Sequence, residues 1–163
     1  MQEKLPFILR DPIPGDMGMV VYQNAVFYSK EFGWDSRFEA LVAKVVSEYI
    51  TNFDEKYEKC WIAEKDGKMV GSIFVVKQDE NTAKLRMLYV DSSARCLGIA
   101  NKLVDESIKF SESVGYKRII LWTNSILVDA ARIYIKFGFK LENEEKHTMF
   151  GPELTGQTYS KDL

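Results

Sequence analysis

The stretch from Lys84 to Trp122 constrains the fold of this 163-residue chain more than any other part. Lys84 to Val90 reads as a strand. Gly98 to Val114 sets Ile99, Leu103, Val104, Ile108 and Phe110 at helical spacing and stops at Gly115, a residue suited to helix termination. Arg118-Ile119-Ile120-Leu121-Trp122 is almost continuously apolar, as expected of a strand buried on both faces. A strand, a helix and a buried strand in that order make a parallel crossover, which fixes the handedness and the layering of whatever surrounds it.

The rest of the chain supplies the remaining layers. Phe7 to Arg10 reads as a short first strand, closed by Asp11-Pro12-Ile13-Pro14-Gly15. Asp16 is placed to cap a helix running to about Glu31. Ser36-Arg37-Phe38-Glu39 has the capping-box spacing and opens a second helix. Its apolar face is Phe38, Leu41, Val42, Val45, Val46, Tyr49, Ile50 and Phe53. Cys60 to Glu64 and Val70 to Val76 flank Asp66-Gly67, a pair that favours a tight hairpin. Leu127 to Phe137 is a further helix. Two last strands, about Lys140 to Met149 and Gln157 to Leu163, surround a turn at Gly151-Pro152. The expected architecture is a single domain over 1–163, an α/β (α+β) sandwich. Its mixed central β-sheet has about seven strands, flanked by about four helices.

Composition narrows the function classes. With 22 basic and 24 acidic residues the net charge is −2, so no broad basic face offers itself to nucleic acid. No apolar run is long enough to span a bilayer, and Met1 to Pro6 lacks the pattern of a secretory signal, so a cytoplasmic location and no membrane partner are expected. Cys60, Cys96 and the single His147 have no metal-ligand spacing, so neither a metal site nor a disulfide framework is expected. Cys60, in an apolar strand, reads as a small buried hydrophobe.

Arg95-Cys96-Leu97-Gly98-Ile99-Ala100 lies where the strand ending at Val90 gives way to the helix. A helix start leaves backbone N–H groups unpaired and partly positive, so it attracts anions. Gly98 and Ala100 lack bulk and let a diphosphate approach the backbone. Arg95 adds a charge at the entrance. Neither Gly-x-x-x-x-Gly-Lys-Ser/Thr nor a Gly-x-Gly-x-x-Gly after the first strand occurs.

The segment Leu88 to Ala100 resembles the acetyl-CoA motif of the GNAT acetyltransferases, a strand ending in Val, a short acidic turn and Arg/Gln-x-x-Gly-x-Gly/Ala opening a helix. Ala131-Arg132-Ile133-Tyr134-Ile135-Lys136-Phe137-Gly138-Phe139 is similar to the family's second signature, Ala-x-x-Tyr-x-x-x-Gly-Phe. Leu121 to Ser125 and the ending Phe150-Gly151 with Gly156 to Tyr159 are similar to the acetyltransferase half of MarR–GNAT fusion proteins, here without the winged-helix half.

The resemblance implies transfer of acetyl from acetyl-CoA to an amine acceptor by direct attack in a ternary complex. The residues agree, since no Ser-His-Asp or Cys-His grouping is present to act as a covalent nucleophile. By the same resemblance Leu88, Tyr89 and Val90 present backbone groups to the pantetheine arm. One of their N–H groups holds the oxyanion, and Tyr134 protonates the leaving thiolate. Asn124 is placed to contact the cofactor or to hold the loop; the family often has an asparagine seven residues before the tyrosine, where this chain has Leu127. Cys96 stands where glycine or a basic residue is usual, and reads as a bystander thiol.

Some members use a glutamate base on the strand before the loop, but Lys84, Arg86 and Met87 occupy that stretch here. Glu31, Glu145 and His147 are base candidates by location, beside a water chain. Glu31 to Asp35 and the last hairpin form the expected acceptor region, where Phe32 and Trp34 either meet substrate or seal the core. A small-molecule amine or amino acid is the expected acceptor. A protein lysine or N-terminus, or a non-catalytic acetyl-CoA sensor, are the alternatives. A homodimer is compatible with the family.

Overall fold

The computed structural model describes residues 4–163. Among the described residues, seven strands form one sheet. They are β1 (Ile8–Arg10), β2 (Lys59–Lys65), β3 (Lys68–Lys77), β4 (Thr82–Val90), β5 (Arg118–Asn124), β6 (Lys140–His147) and β7 (Leu154–Asp162). Their order is β1-β2-β3-β4-β5-β7-β6, with β4–β5 the parallel pair and every other pairing antiparallel. The helices are α1 (Asp16–Phe32), α2 (Ser36–Thr51), α3 (Ile99–Ser113) and α4 (Val128–Lys136). The expected mixed sheet with its single crossover through α3 is the observed one.

Two apolar layers hold the sheet. On one face Val20 of α1 and Phe38, Val42, Val46 and Tyr49 of α2 cover Cys60, Ile62 and Phe74. On the other, Ile99, Leu103, Val104 and Ile108 of α3 and Tyr134 of α4 cover Ala63, Ile73, Leu85, Ile119 and Leu121. Alternate residues of each strand therefore serve opposite layers, as the pleat requires. Asp66 and Gly67 both have positive φ, 52° and 75°, and join Lys65 to Lys68 as the expected two-residue hairpin. Cys60 is buried, and burial pushes its thiol well above the ordinary range, consistent with a core role.

Several boundaries differ from the sequence reading. Asp35, not Ser36, is the N-cap of α2; its carboxylate accepts from the Arg37 N–H at 3.0 Å. Ile50 and Phe53 are exposed, whereas Tyr49 beside them still packs on Phe74 of the sheet. Strand β7 begins at Leu154, three residues early, and Gly156 lies inside it. A Cβ at Gly156 would stand 2.8 Å from the Trp122 indole nitrogen, so the glycine marks a strand position covered by that ring rather than a turn.

Asp16 likewise lies inside α1, with Gly15 as N-cap. Its carboxylate turns back instead, accepting from Arg10 Nη1 at 2.7 Å, Arg10 Nη2 at 3.1 Å and the Ile13 N–H at 2.7 Å. Arg10 also donates from Nε to Glu64 at 3.0 Å. The Arg10 hydrogen bonds, and then the Ile13 amide, hold the Asp16 carboxyl below the usual carboxylate range against the opposing effect of burial. A depressed carboxylate contributes stability above its unfolded pKa and loses it as pH falls through the folded value. Arg10→Met is expected to cost about 3 kcal/mol at pH 7, since it strands a buried carboxylate. Urea unfolding should show that difference shrinking as pH is lowered toward 3.

Candidate active site

The site originates in a parting of strands. Pairing between β4 and β5 runs only from Thr82↔Arg118 to Leu85↔Leu121. Beyond that point β4 stays with β3 through Gly71↔Val90, while β5 stays with β7 through Asn124↔Gly156. Arg86 to Val90 therefore turns an edge without a strand partner into the middle of the sheet. Backbone groups there need an extended partner from elsewhere. The cause of the parting lies on β4, where the register against β3 shifts between Ser72 and Phe74 and Met87 has φ of 55°. A bulge of this kind bends the strand that carries it.

Gly71 permits the companion close approach. A Cβ there would stand 2.8 Å from the Tyr89 carbonyl oxygen and 3.4 Å from Ile99 Cγ2. Gly71→Ala is expected to lower stability by about 1–3 kcal/mol and to displace the open edge of β4. Thermal melts together with acetyl-CoA titration would show both losses; a variant with wild-type values for each would mean that β3 yields freely.

The loop after β4 is built to expose N–H groups. Asp91 caps the turn Ser92–Ala94, accepting from the Ser93 N–H at 2.9 Å and hydroxyl at 2.6 Å. Cys96 and Gly98 then adopt left-handed backbone, with φ of 64° and 81°. Gly98 is the N-cap of α3 and supplies no side-chain cap; Leu127, N-cap of α4, supplies none either. Both helix starts open on one cleft of about 600 Å³, whose walls include Leu88, Tyr89, Val90, Arg95, Cys96, Gly98, Ile99 and Ala100. The guanidinium of Arg95 lies 5.1 Å over the Phe27 ring of α1, which places its charge at the mouth. Leu97 alone of the loop residues lies outside that lining, its side chain packed on the α3 layer.

A smaller cavity of about 100 Å³ continues through the gap between the parted strands. Tyr28, Leu88, Leu127 and Ala130 line both spaces, so the two meet there. Tyr134 faces the smaller one. It is 6% exposed, its ring packs against Phe139 and Tyr159, and its hydroxyl has no protein partner. Burial, and next the neighbouring Tyr28, push its pKa above the ordinary tyrosine value. The same effect raises Tyr28 to about 12, burial leading and Tyr89 adding to it.

Asn124 also lines the smaller cavity and not the large cleft. Its Oδ1 lies 2.6 Å from His147 Nε2, while the Met149 N–H donates to His147 Nδ1 at 3.2 Å. Those two contacts engage both ring nitrogens of His147. His147 thus packs against Asn124 with both ring nitrogens hydrogen-bonded within the protein. Glu145 is exposed on the edge strand β6 and lines neither space, whereas Glu31 lines the large cleft. Trp34 both seals and lines. Its ring stacks on Tyr28 at 4.7 Å, and it forms a wall of the small cavity.

Sequence reasoning missed Tyr28, Asn24 and the bulge at Met87. The first two sit on an amphipathic helix with nothing local to distinguish them. A bulge on a non-glycine residue has no sequence signature. Among the described residues no cluster of His, Cys, Asp and Glu suited to a metal is present, and no helix is long and apolar enough to cross a membrane.

Known proteins are similar to this chain in sequence or in fold. Human N-acetyltransferase 8 is 29% identical over 122 residues, 71% of this chain and 54% of that protein. N-acetylaspartate synthetase of Danio rerio is 33% identical over 93 residues, 56% of this chain and 33% of that one. The chain thus spans about half of the first relative and a third of the second. A GNAT acetyltransferase of Staphylococcus aureus Mu50 superposes with a TM-score of 0.78 at 20% identity, over 96% of this chain and 99% of that one. A GNAT acetyltransferase of Elizabethkingia anophelis, with acetyl-CoA bound, superposes with a TM-score of 0.66 at 16% identity, over 98% of this chain and all of that one. Residues 26–139, which span the open edge of β4, the loop and Tyr134, match the acetyltransferase (GNAT) family, and the chain belongs to that family of acyltransferases.

Proposed function

We propose that this chain moves the acetyl group of acetyl-CoA to the primary amine of a small molecule by direct attack in a ternary complex. The single observation behind this is the parting of β4 from β5 after Leu85 and Leu121, with the partnerless hydroxyl of Tyr134 facing the gap. The fit of acetyl-CoA rests on three features of the chain. The unpaired edge of Arg86 to Val90 suits the amide-bearing pantetheine arm. The uncapped start of α3, with Arg95 beside it, suits the diphosphate. The large cleft joins these at the point where Tyr28 and Leu88 open into the smaller cavity.

The acceptor's amine nitrogen attacks the thioester carbonyl, and an N–H of the Leu88 to Val90 edge holds the oxygen that becomes negative. Such a preorganised donor contributes about 3–4 kcal/mol. Collapse breaks the C–S bond. The hydroxyl of Tyr134 gives its proton to the departing sulfur, and the proton shed by the new amide nitrogen leaves through water and restores the tyrosine. No carboxylate lines the small cavity and both ring nitrogens of His147 are engaged, which supports water as the proton's route. The space is only about 100 Å³, walled by Asn24, Tyr28 and the mutually packed rings of Trp34, Phe38 and Phe150, which suits a small acceptor better than a polypeptide.

The direct test is release of free CoA from acetyl-CoA against a panel of small amines. Release that depends on one acceptor class supports the reading. Tight acetyl-CoA binding with no acceptor-dependent release would leave a sensor instead.

A further inference from the structure

The small cavity is rich in hydrogen-bond donors and is lined by no acidic side chain. Arg86, the first β4 residue beyond the last β4–β5 pair, lines it and is half-buried. Among the described residues it makes neither an ion pair nor a side-chain hydrogen bond. Arg10, also half-buried, is by contrast held by two carboxylates. Lys84, two residues earlier on the same face of β4, is also half-buried and has no side-chain partner among the described residues. Burial disfavours the charge on both, Arg86 feeling only the distant Glu48 as compensation and Lys84 being further opposed by Arg86.

Three more donors face the same space. The indole N–H of Trp34, a residue 3% exposed, is buried without any acceptor. The Asn124 side-chain nitrogen has no protein partner, its oxygen being engaged by His147. The Tyr134 hydroxyl is equally free. None of the residues lining the cavity is Asp or Glu. Buried donors without acceptors and a buried guanidinium without a counter-ion each cost free energy, unless a ligand completes them.

We infer that the acceptor carries a carboxylate close to its amine, as a free amino acid does, and that Arg86 binds that carboxylate and selects for it. The inference rests on the transferase reading above. An amine without an anion would meet only positive charge here, and its ammonium form would be repelled. An amino acid brings its own compensation, because its carboxylate neutralises Arg86. The guanidinium is suited to the task because its paired N–H groups match the two carboxylate oxygens.

The experiment measures CoA release with glycine, alanine, leucine, phenylalanine and aspartate, each beside its α-carboxamide. Wild-type enzyme is expected to favour at least one free acid over its carboxamide by about 10- to 100-fold in kcat/KM, the worth of a charge-assisted hydrogen bond. Arg86→Gln is expected to erase that preference chiefly through KM for the acid, and Arg86→Lys to restore part of it. Acetyl-CoA affinity of each variant reports whether the cleft has folded, and the wild-type acid-to-carboxamide ratio stands as a test without any variant. Equal or better use of the carboxamides by wild-type enzyme would overturn the inference while leaving the transferase reading intact. A folded Arg86→Gln enzyme that keeps the acid preference would do the same. Silence with every amine, acid or not, would remove the transferase reading itself.

Discussion

Replacing Tyr134 with phenylalanine should lower kcat by about 100-fold or more, the scale of a lost general acid, and change acetyl-CoA affinity by no more than about threefold. The split is expected because the ring's contacts with Phe139 and Tyr159 survive the substitution, while the hydroxyl, which bonds to nothing in the protein, disappears. The pH dependence is a second signature. A general acid works in its protonated form, and burial together with Tyr28 raises the Tyr134 pKa above the ordinary value of about 10. The alkaline limb of the kcat profile therefore lies above pH 10 instead of at it, and turnover in wild-type enzyme should not fall between pH 8 and about 10 on this residue's account. Turnover unchanged in the phenylalanine variant would reduce Tyr134 to a packing residue and pass the thiolate's proton to water.

Placing a carboxylate at the start of α3 should separate folding from binding. Ala100 is the second residue of that helix and lines the large cleft. In Ala100→Glu the new charge sits at the positive end of the helix, which favours the fold by about 0.3–1 kcal/mol. It also stands where a diphosphate would sit, and like charges brought together there should cost about 3 kcal/mol, or about 100-fold in acetyl-CoA affinity. The expected result is a melting temperature equal to or above wild type with acetyl-CoA binding weakened by that factor, measured by calorimetry. A variant that binds acetyl-CoA normally would move the diphosphate away from Gly98 and Ala100.

The sequence carried the loop, the crossover and the two-layer plan, because each depends on neighbours in the chain. Asp66-Gly67 has the positive φ values that its hairpin demands, and the α3 stripe from Ile99 to Ile108 lies at the spacing of one helix face. Capping was less legible. Asp16 has the chemistry of an N-cap, yet Arg10 of β1, itself also held by Glu64 of β2, draws it into an ion pair instead. Asp35 took the cap expected of Ser36, one residue away, since either can accept from the first turn. His147 looked like a base by position, and only its contacts with Asn124 and Met149 showed that both ring nitrogens are engaged.

What the sequence determined by itself was local: which segments are helix or strand, that a strand and helix meet at an anion-attracting loop, and that a tyrosine follows at the family's spacing. Tertiary structure alone decided that β4 leaves β5 after Leu85, that Tyr134 faces the resulting gap, and that Arg86 lines it without a counter-ion. The reason is physical. Strand parting depends on a bulge at Met87 and on which strands claim each edge, and a charge is unpaired only with respect to everything folded around it, so neither can be read from any one stretch of chain.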